Sequence, residues 1–167
     1  MEWLLQAGTV RKTLQASIAL QLVTLATSYA IWVYEGCDPF MPFISDTDTN
    51  PVSGVPFTLG FSVSGLLILV LSWQYYRLRA DWILSHPGVP RLGLLNPVSA
   101  ILAALAGAFT IWIAFTPWNQ ELALHLVQAK VIFGGLGLWA ILSTVMASEM
   151  ASLDSRFEVV YRARRLR

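Results

Sequence analysis

The 167-residue sequence predicts an all-α integral membrane protein, a bundle of four transmembrane helices with an ordered loop between the first two. Three observations carry this. Hydrophobic residues make up 56% of the chain and charged residues only 13%, about half the charge of an ordinary soluble domain. The mean hydropathy is +0.59, so the chain cannot cover itself with polar surface. The apolar residues also fall into four runs, each long enough to cross a hydrocarbon core of about 30 Å.

In chain order, Trp3, Leu4 and Leu5 precede Arg11 and Lys12, an apolar run too short for a signal peptide and followed at once by a full span. The first span is expected over residues 14–34, closed by Tyr29, Trp32 and Tyr34 at headgroup level. A polar connection follows, punctuated as turns by Asn50-Pro51, Gly54 and Pro56. The second span is expected over 57–75, with Trp73, Tyr75 and Tyr76 before Arg77 and Arg79. Residues 78–95 are half-apolar and carry Trp82 and a His86-Pro87-Gly88 turn, which reads as a segment on the membrane surface. Asn96-Pro97 should open the third span, 97–115, with proline in the first helical turn. Thr116–Glu121 is long enough only for a tight helical hairpin, and the fourth span is expected over 122–146. Nothing marks an internal boundary, so residues 1–167 read as a single domain.

The basic residues set an orientation. In the four-span reading, ten of the eleven Lys and Arg fall at one end of the bundle, Lys130 being the exception. Glu35, Asp38, Asp46, Asp48 and Glu121 fall at the other. The positive-inside rule then places both termini in the cytosol. Which membrane is crossed is not encoded in these features.

Several chemistries lack their residues. Cys37 is the sole cysteine, which excludes an intrachain disulfide and a cysteine metal site. His86 and His125 lie in different segments and match no metal-ligand spacing. No GxGxxG, phosphate-binding loop, GxSxG or HExxH motif occurs, and no nucleophile, base and oxyanion donor assemble into a catalytic set. No cofactor is expected, with a bound phospholipid the one small molecule the composition leaves room for. No nucleic-acid partner is expected; membrane lipids are, with other membrane subunits as a second class.

The unusual residues concentrate in Pro42-Phe43-Ile44-Ser45-Asp46-Thr47, where hydroxyls and acids can fold back onto the backbone. Asp46 reads as an organiser of this loop. Phe40, Phe43 and Ile44 should fold it against the helix ends. On the fourth span, Glu121, His125 and Gln128 share one stripe, and Lys130 lies on another face, where it snorkels to headgroups or contacts a lipid. His125 lies at the depth of the loop and is expected to hydrogen-bond with it, Asp46 being the partner of choice. Ala100, Ala104 and Ala108, with Ala103 and Gly107 beside them, are expected to form packing faces with Gly60, Ser64, Gly134, Gly135 and Gly137. Such faces, and the tail, are also where partner subunits would dock. In the tail, 151–167, Leu153, Phe157, Val160 and Tyr161 recur at helical spacing ahead of Arg162, Arg164, Arg165 and Arg167. This is a basic amphipathic segment for an anionic leaflet, or else a stop-transfer flank.

The Pro42–Thr47 motif after a first span resembles the signature loop of the damage-regulated autophagy modulator (DRAM/Frag/Sfk-type) family, whose relatives include GPI-anchor lipid-remodelling and lipid-asymmetry proteins. Asn96, Phe115, His125, Phe133, Gly134, Gly137 and the run 141–150 follow in the family's order. The family typically continues the loop with glycine and Pro-Pro-Glu, where this chain has Asp48 and Asn50-Pro51-Val52. It usually has six spans, so the sequence reads as a four-span short version. The resemblance implies a non-enzymatic lipid-handling or trafficking-regulating membrane protein; the alternative is a small accessory subunit of a larger membrane complex. Candidate lipid or structural site residues are Pro42, Phe43, Ser45, Asp46, Thr47, His125, Gln128 and Lys130.

Overall fold

The computed structural model describes residues 2–40, 43–86, 88–158 and 162. Four long α-helices follow one another: α1 (Ala7–Tyr34), α2 (Pro51–Leu84), α3 (Pro90–Ile113) and α4 (Leu122–Leu153). Short 3-10 turns lie at Glu2–Leu5, Ile44–Asp48 and Ser155–Phe157. All four helices are long and apolar enough to cross a membrane.

The packing is inverted relative to a soluble protein. Ser17, Thr24 and Ser28 of α1 are buried while Ile18, Leu22 and Val23 are exposed. Gln74, Asn96, Ser99, Thr110 and Gln128 are also inside, while Leu59, Ile101 and Leu138 point outward. Only a hydrocarbon solvent makes that arrangement favourable, because it removes the drive to bury aliphatic side chains and leaves small and polar groups to hold helices together. The chain is therefore an integral membrane protein.

Local chemistry sets the helix ends. Gly36, at φ 83°, takes the left-handed conformation that ends α1 after Glu35. Asn50 caps α2, its side-chain oxygen accepting from the Val52 and Ser53 amides at 2.8 and 3.3 Å, with Pro51 in the first helical position. The expected turns at Asn50-Pro51 and Gly54 are thus the first turn of a helix, where the missing N–H of Pro51 costs little, while Pro56 lies inside the helix. At its other end α2 runs on to Leu84, a length of roughly 50 Å that projects beyond the hydrocarbon core. The surface segment expected at 78–95 shrinks to a turn between Leu84 and Pro90. Asn96 does not open α3 but lies buried within it, donating to the Tyr76 carbonyl of α2 at 3.0 Å. The hairpin between α3 and α4 is tight, as expected. α4 continues past Met146 to Leu153, and Asp154 breaks it by accepting from the Arg156 amide at 3.0 Å. The tail is therefore not one helix from residue 151. Phe157 folds back onto Trp82, with ring centroids 5.6 Å apart.

Neighbours in sequence are neighbours in space: α1 packs on α2, α2 on α3 and α3 on α4. Glycines allow the close crossings. A Cβ on Gly60 would lie 1.9 Å from Thr24 Oγ1, one on Gly65 would lie 2.6 Å from the Gly107 carbonyl, and one on Gly135 would lie 2.9 Å from the Leu102 carbonyl. The packed face of α3 is Leu92, Asn96, Ser99, Ala103, Ala106, Gly107 and Thr110 rather than Ala100, Ala104 and Ala108, the last of which is exposed. A strict four-residue repeat drifts about 40° per step around a helix with 3.6 residues per turn, so it cannot stay on one face. Side-chain hydrogen bonds to carbonyls also tie α2 to α3 and its C-terminal end, from Thr58 to Ala114 (2.9 Å) and from Ser72 to Ala100 (2.7 Å). Arg79, buried at the end of the bundle opposite the 43–50 loop, donates to Ser99 and Ser143.

Among the described residues, the backbones of α1 and α4 do not approach within 8 Å of each other. The bundle is open along that seam.

Candidate functional site

The site lies where the α1–α2 loop closes over one end of this seam. The loop is held by its own polar groups. Asp46 Oδ2 accepts from the Phe43 amide at 2.7 Å, and the Asp46 amide donates to the Phe43 carbonyl at 2.9 Å, which caps the 3-10 turn. Thr47 Oγ1 donates to the Ile44 carbonyl (2.9 Å), Thr49 Oγ1 to the Asp46 carbonyl (2.8 Å) and Ser53 Oγ of α2 to the Thr47 carbonyl (2.6 Å). Asp46 Oδ1 then accepts from Trp118 Nε1 at 2.9 Å, joining the loop to the α3–α4 hairpin.

Below the loop, a slender cavity of about 250 Å³ runs between the helices. Gln21 and Leu25 of α1 face His125, Ala129, Ile132, Phe133 and Leu136 of α4 across it; Phe57 and Phe61 of α2 form its back, and Ile44 and Ser45 its roof. Gln21 and Leu136 lie thirteen or fourteen residues from the loop-side ends of their helices, so the cavity descends about 20 Å toward the bilayer centre. A second cavity of about 470 Å³ sits above it at the membrane surface, lined by Phe43, Ser45, Asp46, Trp118, Leu122, His125 and Leu126. Ser45 and His125 line both.

His125 is buried and its Nδ1–H donates to the Thr116 carbonyl at 2.7 Å. Gln128, fully buried, donates to Thr116 Oγ1 at 3.1 Å. Together they anchor α4 to the end of α3. The expected hydrogen bond between Asp46 and His125 is replaced by these contacts: a backbone carbonyl freed at the α3 terminus takes the imidazole, and the indole takes the carboxylate. Asp46 and His125 still share the wall of one cavity.

A sequence model of the Frag1/DRAM/Sfk1/Cwh43P N-terminal domain matches residues 15–166. The chain belongs to this family. No curated protein and no solved structure matches it significantly.

In this Frag1/DRAM-type domain, the expected site residues divide into three groups. Phe43, Ser45, Asp46 and His125 meet at the cavities. Thr47 and Gln128 are buried supports rather than lining residues, and Lys130 is exposed on α4 and lines neither cavity. Pro42, Arg164, Arg165 and Arg167 lie outside the described residues, and Arg162 is exposed in the tail. The apolar loop residues are not folded inward as expected: Phe40, Phe43 and Ile44 stay exposed while Thr47 and Asp48 are buried. Thr47 goes inside with its hydroxyl bonded to the Ile44 carbonyl of the same turn.

Asp48 escaped the sequence reading. It is buried against Gly54, with Oδ2 making no hydrogen bond among the described residues, and burial pushes its carboxyl up to about 6. Trp118, the second contact of Asp46, lies in the α3–α4 hairpin, which the sequence marks only as a tight connection. Seventy-two residues separate the pair, and no spacing rule links them.

Proposed function

We propose that this domain is a non-enzymatic lipid-handling protein that admits one acyl chain into the groove between α1 and α4. The lipid's polar end rests beneath the 43–49 loop, and the loop faces away from the cytosol. The observation that carries this reading is the shape and chemistry of the groove. It is mostly apolar along its depth, with Gln21 and Thr110 as its polar lining, and capped by hydrogen-bonding groups at headgroup level. It is placed at the seam where, among the described residues, α1 and α4 leave each other unpacked. The orientation is supported by the charges: Arg11, Lys12, Arg77, Arg79 and Arg91 gather at the end opposite the loop.

Replacing Ala129, which lines the groove from α4, by Trp fills its middle. Wild-type protein purified in mild detergent should carry stoichiometric phospholipid by native mass measurement. Ala129→Trp should lose it while keeping its helical content and monomer mass. Equal lipid retention in both proteins would contradict the reading.

A second reading, an accessory subunit, is favoured by one observation. Gly134 and Gly137 of α4 face open space, a surface on which a helix of another protein could pack closely. The same mass measurement separates the two, since a subunit would retain a partner protein in fixed ratio.

A further inference from the structure

We infer that the cavity at the membrane surface binds the ammonium group of a zwitterionic phospholipid headgroup, between the Asp46 carboxylate and the rings of Phe43 and Trp118. The inference rests on the groove reading above, since the same lipid's chain would occupy the seam below.

The carboxylate is fixed before any ligand arrives. One oxygen accepts from the Phe43 amide and the other from Trp118 Nε1, so Asp46 is held between the two aromatic residues. Each bond leaves lone pairs on its oxygen for a cation. Both rings remain open, Phe43 at 77% and Trp118 at 36% exposure. An acid sharing one cavity wall with exposed aromatic side chains is a combination that recognises ammonium and quaternary ammonium groups, by charge and by the negative ring faces.

The surroundings select the same charge. Glu35, Asp38, Asp48 and Glu121 lie at this end of the bundle, and its first basic residue is Lys130, more than two helical turns down α4 and outside both cavities. A headgroup carrying phosphate without an amine would find no lysine or arginine lining either cavity. A zwitterionic headgroup brings its own counter-charge, and Ser45 and His125, which line both cavities, are the hydrogen-bonding groups at the level of its phosphate and glycerol. The exposed ion pair and cation–π contacts together set the expected discrimination at about tenfold.

The test uses the full chain in detergent, with phosphatidylcholine, phosphatidylethanolamine, phosphatidylglycerol and diacylglycerol of identical acyl chains, and reads binding by native mass titration. Phosphatidylcholine and phosphatidylethanolamine should bind about tenfold more tightly than phosphatidylglycerol. Asp46→Asn should abolish that preference, so that phosphatidylcholine and phosphatidylglycerol bind the variant equally. Phe43→Leu, at an exposed position that cannot disturb packing, should reduce it. Choline chloride without lipid should leave the melting temperature unchanged, and a shift equal to that produced by phosphatidylcholine would overturn the lipid as the source of the ammonium. Equal binding of all four lipids, or a preference that survives both substitutions, would overturn the headgroup inference and leave the groove standing. Binding of none would instead remove the groove reading itself.

Discussion

Asp48 shows how one residue can tie this fold to pH. Its carboxyl is buried under the loop and titrates at about 6 instead of the ordinary 3.8, because desolvation disfavours the charged form. Between those values the folded protein holds a proton that the unfolded chain has released. Stability should therefore fall as pH rises from about 4 to about 6 and level off above. Asp48→Asn removes the titration, and the melting temperature of this variant in detergent should lose that slope and exceed wild type at pH 7.5; an unchanged slope would contradict the account. Asp46 makes a different prediction. Because it bonds Trp118 directly, Asp46→Asn and Trp118→Phe should each loosen the loop, and the double variant should cost less than their sum by about 0.5–3 kcal/mol. Strictly additive losses would mean the bond carries no stability. At this scale Asp46 was legible as a loop organiser, because Asp three residues after a turn start reaches back to the backbone. Its indole partner was not, since that contact is made only once α3 and α4 are in place, and the burial of Asp48 was not, since it depends on the loop folding onto α2.

Helices are the elements that composition specifies best here. The existence of all four and the tight α3–α4 hairpin follow from apolar runs and punctuation, but the boundaries do not. Prolines and an arginine mislead in the same way: Pro56 and Pro97 sit inside helices, and Arg79 turns inward to Ser99 and Ser143 instead of marking a surface loop. Hydropathy reports where lipid ends, whereas helices continue past that point for as long as backbone hydrogen bonds can be made. Crossing points follow the same logic of close approach. Gly65 meets the Gly107 backbone, which cannot swing aside, so Gly65→Ala should separate α2 from α3 and cost about 1–3 kcal/mol. Gly134→Ala, facing open space, should leave the isolated chain's stability unchanged. Thermal unfolding of the two variants side by side checks the contrast, and equal effects would contradict the packing described.

For the whole molecule, orientation and the open seam matter most. The charge asymmetry that predicts the orientation was fully legible, because it needs only a span count. Cys37, the sole cysteine, sits at the loop end of α1 and offers a direct reporter. A membrane-impermeant maleimide should label it in sealed vesicles only when added from the non-cytosolic side; labelling from the cytosolic side alone would invert the molecule. The seam between α1 and α4 was not legible, because the apolar side chains that line a groove are the same types that face lipid. Only the three-dimensional arrangement separates Ala129 and Phe133, which line the groove, from Ile101 and Leu59, which do not.

The central claim is that an acyl chain lies in that groove, and photocrosslinking tests it most directly. A phosphatidylcholine with a diazirine midway along one chain, irradiated with the wild-type protein in vesicles, should label residues 21–25 of α1 and 129–136 of α4 above all others. Labelling spread evenly over the lipid-facing surfaces around Leu59, Val63 and Ile101 would show only annular lipid and contradict the account.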